Sequence, residues 1–376
     1  MKPPVLLSRD EFSAAVLART GGCCCAPGCR EAATAAHHII ERRLFTDGGY
    51  YLENGAPLCD EHHLAAEYTT ISPSELRAWL GIKRLVQPPQ FEDDEIVDKW
   101  GNPILANGSR LRGELFDEEP VQKALAAGGV LSLFRTHVKH PKTWHMPGSP
   151  GLGRGDRMLK DLGTFEGERI IMTEKRDGEC SSLYRDHTHA RSLDSRHHPS
   201  RDWLRAYWSA IRWDIPELWR VVGEGTYARH SIAYADLPSF FEGFGLWNER
   251  NFCLSWDETL EWFDLIGSSA GLSIKPVPVI YDGPYNPEAI EEAWQAYLDR
   301  DVAQAEATGR PLQLREGYVI RTAAGFAYRD FRKHVAKWVR PNHVNTSEHW
   351  MHAEITPNEL ADDREEGPAR LPGVRL

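Results

Sequence analysis

The chain has no apolar run that would cross a membrane as a helix, which takes about 20 consecutive apolar residues. Its opening, Met1-Lys2-Pro3-Pro4-Val5-Leu6-Leu7, is too short an apolar run for a secretory signal. Internal repeats and low-complexity tracts are also missing, and the 376 residues read as two globular units with ample apolar content for a core. Cysteine is scarce after residue 59: five of the seven lie between Cys23 and Cys59, and only Cys180 and Cys253 follow, as ordinary buried thiols. Such crowding fits metal binding in a reducing compartment better than a disulfide scaffold, so a cytoplasmic setting is expected. An excess of positive charge is lacking too. The formal net charge of −11 argues against indiscriminate adhesion to nucleic acid, although net charge averages over surfaces that need not be uniform. Acid gathers at Glu92-Asp93-Asp94-Glu95 and around Asp362-Asp363-Arg364-Glu365-Glu366, whereas 135–220 is rich in Arg, Lys and His. There Arg185, Arg191, Arg196, Arg201 and Arg205 are candidates for a phosphate track, and His197 and His198, before Pro199, read as loop.

What is present near the start is a set of metal-ligand side chains. Cys25-Ala26-Pro27-Gly28-Cys29 and Leu58-Cys59-Asp60-Glu61-His62-His63 offer Cys25, Cys29, Cys59 and His62 at short spacing within each pair. That suits tetrahedral structural zinc, which would fold a segment too short for a large core. Adjacent Cys23 and Cys24 leave the register open, with Cys24 able to replace Cys25. Between the pairs stand Ala36-His37-His38-Ile39-Ile40 and Leu52-Glu53-Asn54-Gly55. This His-His, Asn and final His pattern resembles the HNH nuclease family, whose ββα-metal finger builds a single-metal phosphodiesterase site. The resemblance implies that His37 and His63 ligate a catalytic divalent ion, that His38 activates water, and that Asn54 braces the finger. A neutral imidazole, with an ordinary pKa of about 6.5, suits the base role. A zinc-stabilised module that binds nucleic acid without cutting it is the alternative.

The most informative stretch is Glu174-Lys175-Arg176-Asp177-Gly178-Glu179, a lysine just before an Asp-Gly turn, after the β-rich Arg169-Ile170-Ile171-Met172-Thr173. A lysine amine attacks only when neutral, and its reference pKa is about 10.4. A site using it is therefore expected to lower that value by desolvation or nearby positive charge. Alone, the run also describes an exposed strand followed by a turn. Further on come Gly223-Glu224-Gly225 after the short strand Trp219-Arg220-Val221-Val222, then the aromatic strand Ser239-Phe240-Phe241-Glu242-Gly243-Phe244-Gly245-Leu246-Trp247. Arg315-Glu316-Gly317 opens another strand, and Lys333-His334-Val335-Ala336-Lys337-Trp338-Val339-Arg340 supplies late cations.

Taken in order, these motifs resemble the ATP-dependent RNA ligase family of the covalent nucleotidyltransferase superfamily. The resemblance runs from about Lys139 to Trp350. His189-Ala190-Arg191-Ser192 and Tyr227-Ala228-Arg229-His230-Ser231 look like its RNA-joining members. It implies a lysine that attacks the α-phosphate of ATP, transfer of AMP to a 5′-phosphate end, and displacement of AMP by a 3′-OH. Lys175 is then the nucleophile, and Glu316 a partial holder of Mg²⁺ (or Mn²⁺), a cation that prefers oxygen ligands. Lys337 would sit near the α-phosphate, Glu224 would hold the ribose hydroxyls, and Phe244 would stack on adenine for about 1–3 kcal/mol. Arg191 is the first phosphate contact, its planar fork matching phosphate geometry. Glu174, Asp177, Gly178 and Arg340 complete the cofactor-binding set. Val339 stands where a second lysine often sits, leaving Arg340 or Lys333 to share the phosphate work.

The expected fold class is α+β: a nucleotidyltransferase (ligase adenylation) fold of packed antiparallel sheets with flanking helices, plus a small ββα-metal HNH-like domain. The expected organisation is an HNH-like module over 1–85, a connector and docking surface over 86–134, a ligase domain over 135–350, and a tail over 351–376 too short for an OB-fold. Helices are expected over 73–80 with a serine cap, over 119–125, over 201–212, and over 287–308 with Asn286 as cap and proline in the first turn. The expected substrates are ATP and nucleic acid (RNA ends, nicked duplex or RNA–DNA hybrid), with zinc and magnesium as cofactors and no membrane. A GTP-using end-capping enzyme and a non-catalytic nucleic-acid-binding factor are the alternatives.

Overall fold

A computed structural model describes residues 4–84, 86–91, 95–105, 108–153, 155–193, 198–309, 312, 314–341 and 355–361. The expectations that fall on Asp93, Asp94, Arg196, His197, Trp350 and the acidic and Pro/Arg-rich tail lie outside the described residues. The chain forms two compact units, Met1–Val138 and Lys139–Leu376.

In the first unit, helix α1 (Arg9–Ala18) starts at a capping box in which Ser8 Oγ accepts from Glu11 N and the Glu11 carboxylate accepts from Ser8 N. Its Phe12 and Val16 press on a ribbon of β1 (Ala35–His38) and β2 (Gly55–Leu58), paired antiparallel with His38 opposite Gly55. Only glycine fits at 55, since a Cβ there would lie 2.2 Å from Val16 Cγ2. Helix α2 (Asp60–Glu67) follows the ribbon, then α3 (Pro73–Trp79), capped by Ser72 as its sequence implies. Residues 86–134, read as a connector, are folded into this unit: Val97, Trp100, Phe116, and Val121 and Leu125 of α4 (Glu119–Ala127) share one core with Ile40, Leu44 and Phe45. The sequence hid this because the contacts are long-range and the segment has little regular periodicity of its own.

The second unit is built on two sheets. One runs in the order β11 (Val279–Pro284), β4 (Arg169–Lys175), β12 (Gly317–Thr322), β14 (Val335–Val339), β3 (Trp144–His145). The other runs β13 (Phe326–Ala327), β9 (Phe252–Cys253), β8 (Phe241–Trp247), β7 (Arg220–Gly225), β5 (Glu179–Tyr184), β6 (Thr188–Ala190), with β10 (Lys275–Pro276) beside β8. The pairings are antiparallel except β14–β3 and β10–β8, so the α+β class with antiparallel sheets holds.

Side chains of a strand alternate between faces, and β4 uses both. Ile170 and Met172 meet Ile290, Trp294 and Tyr297 of α7 (Pro287–Thr308), while Ile171 turns to Trp256 of α6 (Trp256–Leu265). Asn286 caps α7, its Oδ1 accepting from Glu288 N and Ala289 N. Helix α5 (Asp202–Ile211) buries Trp203, Leu204, Tyr207 and Ile211 against Val221, Phe241 and Leu246 of the other sheet, and the short α8 (Phe331–His334) leads into β14. Among the described residues no helix is long and apolar enough to cross a membrane.

Candidate functional site

Strand β4 delivers Lys175 to a cavity of ≈ 270 Å³ lined from both sheets of the second unit. Glu316 stands at the start of the neighbouring strand, where Gly317 pairs with Lys175, and its Oε2 accepts a 2.6 Å hydrogen bond from Lys175 Nζ. Glu224 at the end of β7, Phe244 of β8, Lys337 of β14 and Arg191 after β6 line the same cavity. Six of the residues singled out in the sequence thus converge from strands far apart in the chain.

The electrostatics differ from expectation in one respect. Burial pulls the Lys175 pKa down, but the Glu316 and Glu224 carboxylates outweigh it, and the net direction is up. The protein's own groups therefore hold the amine protonated rather than activating it, because its nearest charges are carboxylates. Glu224 is pushed up to about 8, by burial first and then by Glu316 and Asp177, against the pull of Lys175. Burial, with Lys175 and Lys142 adding to it, lowers Lys337 to about 8 despite the opposing Asp156. Glu316, the carboxylate that accepts from Lys175, offers an oxygen donor of the kind a hard divalent cation takes. Such a cation, held by Glu316, would take up carboxylate charge and release Lys175 from its ion pair.

Four residues grouped with the cofactor contacts make framework contacts, and of the four only Glu174 also lines the cavity. Glu174, adjacent to Lys175 on β4, points to the other face, where its buried carboxylate accepts from Tyr297 Oη (2.7 Å), Arg315 Nη1 (3.0 Å) and Arg176 Nη1 (3.0 Å). Arg176, unexplained from sequence, links that carboxylate to buried Glu242. The Asp177 carboxylate accepts from Ser231 N (2.7 Å) and Ile232 N (2.8 Å), fastening the loop after β7. Gly178 lets the turn pass β7, since a Cβ there would stand 2.5 Å from Gly225 O. Arg340 donates from Nε to Arg315 O (2.8 Å), and Lys333 pairs with Asp330 (2.8 Å) on the surface, so neither lines the cavity.

The cavity also takes residues that the motifs do not mark. His140 is buried, its Nδ1 has no hydrogen-bond partner, and its ring meets Phe244 edge-on at 5.5 Å. Burial pulls its pKa down to about 3. Trp247, Arg321, Lys142 and Asp156 complete the wall. Trp247 and Arg321 sit inside strand motifs and Lys142 in the stretch that opens the resemblance, but the sequence assigns none of them a role, and Asp156 reaches the cavity by a chain crossing that no local pattern reports.

In the first unit, Cys24, Cys29, Cys59 and His62 bring ligand atoms within 4.8 Å of one another. Cys29 Sγ lies 4.0 Å from Cys59 Sγ, and Cys59 Sγ 3.1 Å from His62 Nδ1. Tetrahedral zinc with bonds of about 2.3 Å sets neighbouring sulfurs about 3.8 Å apart, so the set fits zinc. Cys24 takes the place expected for Cys25 because the backbone is extended there. Successive amides bond in different directions, Cys24 N to Glu31 O and Cys25 N to Pro57 O, and the side chains alternate.

His37, His63 and Glu67 form a second group. Glu67 Oε1 stands 3.2 Å from His37 Nδ1, 3.5 Å from His63 Nε2 and 3.1 Å from Lys99 Nζ. Glu67 was not singled out, although its spacing of four from His63 on α2 places both on one face. His38 lies on the opposite face of β1, stacked on Phe12 at 4.5 Å, with a buried Nε2 that has no partner. Burial lowers both imidazoles to about 4, leaving them neutral at pH 7. Asn54, grouped with the metal residues, is fully engaged by backbone: it accepts from Ile40 N (2.9 Å) and donates to Ile40 O (3.0 Å) and Gly49 O (3.1 Å). It is a brace and no ligand.

Among solved structures, the chain is similar to Naegleria gruberi RNA ligase. One point mutant with ATP and Mn has 17% identity and a TM-score of 0.31, and an apo mutant has 18% and 0.32. In both pairings 48% of this chain and 51% of the other are covered, so the chain spans about half the length of those ligases. Likeness of that degree bears on neither site nor activity. No curated protein matches the chain. The stretch that carries Lys175, Glu224, Phe244, Glu316 and Lys337, residues 168–339, matches the RNA ligase family model.

Proposed function

We propose that the second unit is an ATP-dependent RNA ligase that joins 3′-OH and 5′-phosphate ends through lysyl-AMP. The observation that carries this reading is the placement of Lys175 against Glu316 in a cavity shared with Glu224, Phe244, Arg191 and Lys337. Lys175 Nζ, once neutral, attacks the α-phosphorus of ATP; the bond to the β-phosphate oxygen breaks and pyrophosphate leaves. Lys337 and Arg191 offset charge on the phosphates, Phe244 offers a face to adenine, and Glu224 accepts from ribose hydroxyls. A 5′-phosphate oxygen then takes AMP from the lysine, and the 3′-OH displaces AMP to form the phosphodiester. Positioning and charge neutralisation are the main requirements of such transfers. A magnesium or manganese ion, oxygen-ligated, belongs at Glu316.

With ATP labelled at the α-phosphate and Mg²⁺, the protein is expected to acquire a covalent label that Lys175→Ala abolishes. Absence of an adduct with any nucleotide overturns the reading, a preference for GTP turns it to end-capping, and ATP binding without an adduct turns it to a non-catalytic factor. The cysteine pattern supports a cytoplasmic setting.

For the first unit the His37–His63–Glu67 group favours a second activity, metal-dependent phosphodiester cleavage of the HNH kind, on a finger held by zinc at Cys24, Cys29, Cys59 and His62. The HNH resemblance assigns the base to His38, which is neutral and unpartnered at Nε2 but stands on the opposite face of β1 from that group. Divalent-metal-dependent nicking lost in His38→Ala supports it, and cleavage unchanged in that variant refutes it.

A further inference from the structure

Strand β14 presents Lys337 to the cavity, and two residues on, where the ligase resemblance implies a second lysine, it carries Val339. The segment 142–156 covers Val339: a Cβ at Gly151 would stand 2.7 Å from Val339 Cγ1. Within it, Trp144 to Gly151 are tied to β14. Trp144 and His145 pair with Ala336 and Lys337, Met146 N donates to Lys337 O (2.7 Å), and Ser149 Oγ accepts from Val339 N (3.0 Å).

The same segment brings its own charges to the cavity. Lys142 and Asp156 both line it, and Asp156 Oδ1 lies 3.6 Å from Lys142 Nζ and 3.9 Å from Lys337 Nζ. Asp156 is fixed in turn: its Oδ2 lies 3.2 Å from His145 Nε2 and accepts from Gly153 N (3.2 Å), and His145 Nδ1 meets Ser149 Oγ at 2.8 Å. Lys142 Nζ also donates to Gly155 O (3.0 Å). One carboxylate thus holds two ammonium groups side by side at the cavity wall, and each ammonium keeps donors for a further acceptor.

We infer that Lys142 is a second phosphate-binding cation of this site, directed at the β- and γ-phosphates of ATP and the pyrophosphate that leaves, with Asp156 as the positioning residue that sets it beside Lys337. The inference rests on the ligase reading above. Lys175 Nζ pairs with Glu316, whereas Lys142 Nζ and Lys337 Nζ share a different carboxylate, Asp156. In-line displacement places the leaving group away from the attacking amine. Lys142, reached through Lys337 and Asp156, therefore serves the leaving side. No bond to Lys142 forms or breaks; its positive charge offsets charge gathering on the departing pyrophosphate.

The distinguishing consequence is that Lys142 acts in the step that consumes ATP and not in the final one, where AMP leaves. Lys142→Gln is expected to lower the rate of lysyl-AMP formation from ATP by about tenfold to a hundredfold, the worth of a charge-assisted contact. Sealing of a chemically pre-adenylated RNA 5′ end should be retained, and Lys142→Arg should restore most labelling. Equilibrium binding in a Lys175→Ala background gives a readout free of turnover: Lys142→Gln should weaken ATP by a similar factor and leave AMP unchanged. Equal ATP affinity with and without Lys142, or equal losses in labelling and in pre-adenylated sealing, overturn the inference. If the otherwise unaltered protein forms no adduct, the ligase reading fails on its own, while the ATP-against-AMP comparison still decides whether Lys142 holds the outer phosphates.

Discussion

Glu174 provides a sharp test, because sequence order groups it with the nucleotide contacts and its carboxylate is bonded to Tyr297, Arg315 and Arg176. Its carboxylate is wholly buried and is shared by Arg176, Arg315 and Tyr297. Glu174→Ala removes the negative charge between two guanidiniums whose side chains are only 5% and 7% exposed. Breaking one side of a buried pair costs about 3–5 kcal/mol. Here each arginine keeps another carboxylate, Glu242 for Arg176 and Asp301 for Arg315, so the lower end, about 3 kcal/mol, is expected. Glu174→Gln, which keeps the shape and one acceptor, should lose about 1.5–3 kcal/mol. Since each 1.4 kcal/mol or so is a factor of ten, the alanine variant should shift the unfolding equilibrium of this unit by roughly a hundredfold. Urea titration followed by tryptophan fluorescence reads this as a midpoint lower by about 1 M or more, and Trp294 and Trp338 lie in the adjacent core. Lysyl-AMP formation, measured well below the midpoint, should survive in Glu174→Gln. Unchanged stability together with selective loss of ATP binding would refute the reasoning and return Glu174 to the nucleotide.

Two further outcomes follow from the geometry. Glu224 has its pKa raised on folding from 4.5 to about 8, chiefly by burial, so its favourable contribution is full below the unfolded value and is lost as pH rises through about 8. The Tm of the unaltered protein should therefore fall relative to Glu224→Gln between about pH 5 and 9, and parallel Tm curves would contradict the shift. Cys24→Ser should lower bound zinc, measured by elemental analysis of the purified protein, while Cys25→Ser should leave it intact; the reverse pattern would restore the register centred on Cys25.

Much of the site was legible because the chemistry sits at strand ends, where short motifs survive. Lys175, Glu224, Phe244, Glu316 and Lys337 could be named from residue type and order; four of them line one cavity, and Glu316 reaches it through its hydrogen bond with Lys175. The capping signals of α3 and α7 were equally plain, since Ser72 and Asn286 act within a turn of their own position. Residues 86–134 were opaque for the opposite reason: Val97, Trp100 and Leu115 share a core with Ile40 and Leu44, which lie more than fifty residues earlier in the chain. Lys99, from that same stretch, reaches Glu67 and Glu41, which no local pattern announces.

The sequence by itself determined the chemical inventory and its order: a lysine before a turn, carboxylates at two later strand starts or ends, an aromatic strand, a closing lysine, and an early cysteine–histidine set. Tertiary structure alone decided which neighbour faces the chemistry. A strand turns adjacent side chains to opposite faces, so Lys175 meets Glu316 while the Glu174 carboxylate meets Tyr297, Arg315 and Arg176. By the same rule Cys24 joins the metal set and Cys25 does not. It also decided that Lys175 is held protonated by Glu316 and that Lys142 arrives beside Lys337. Charge and burial depend on groups brought together from distant parts of the chain, and that information exists only once the chain has folded.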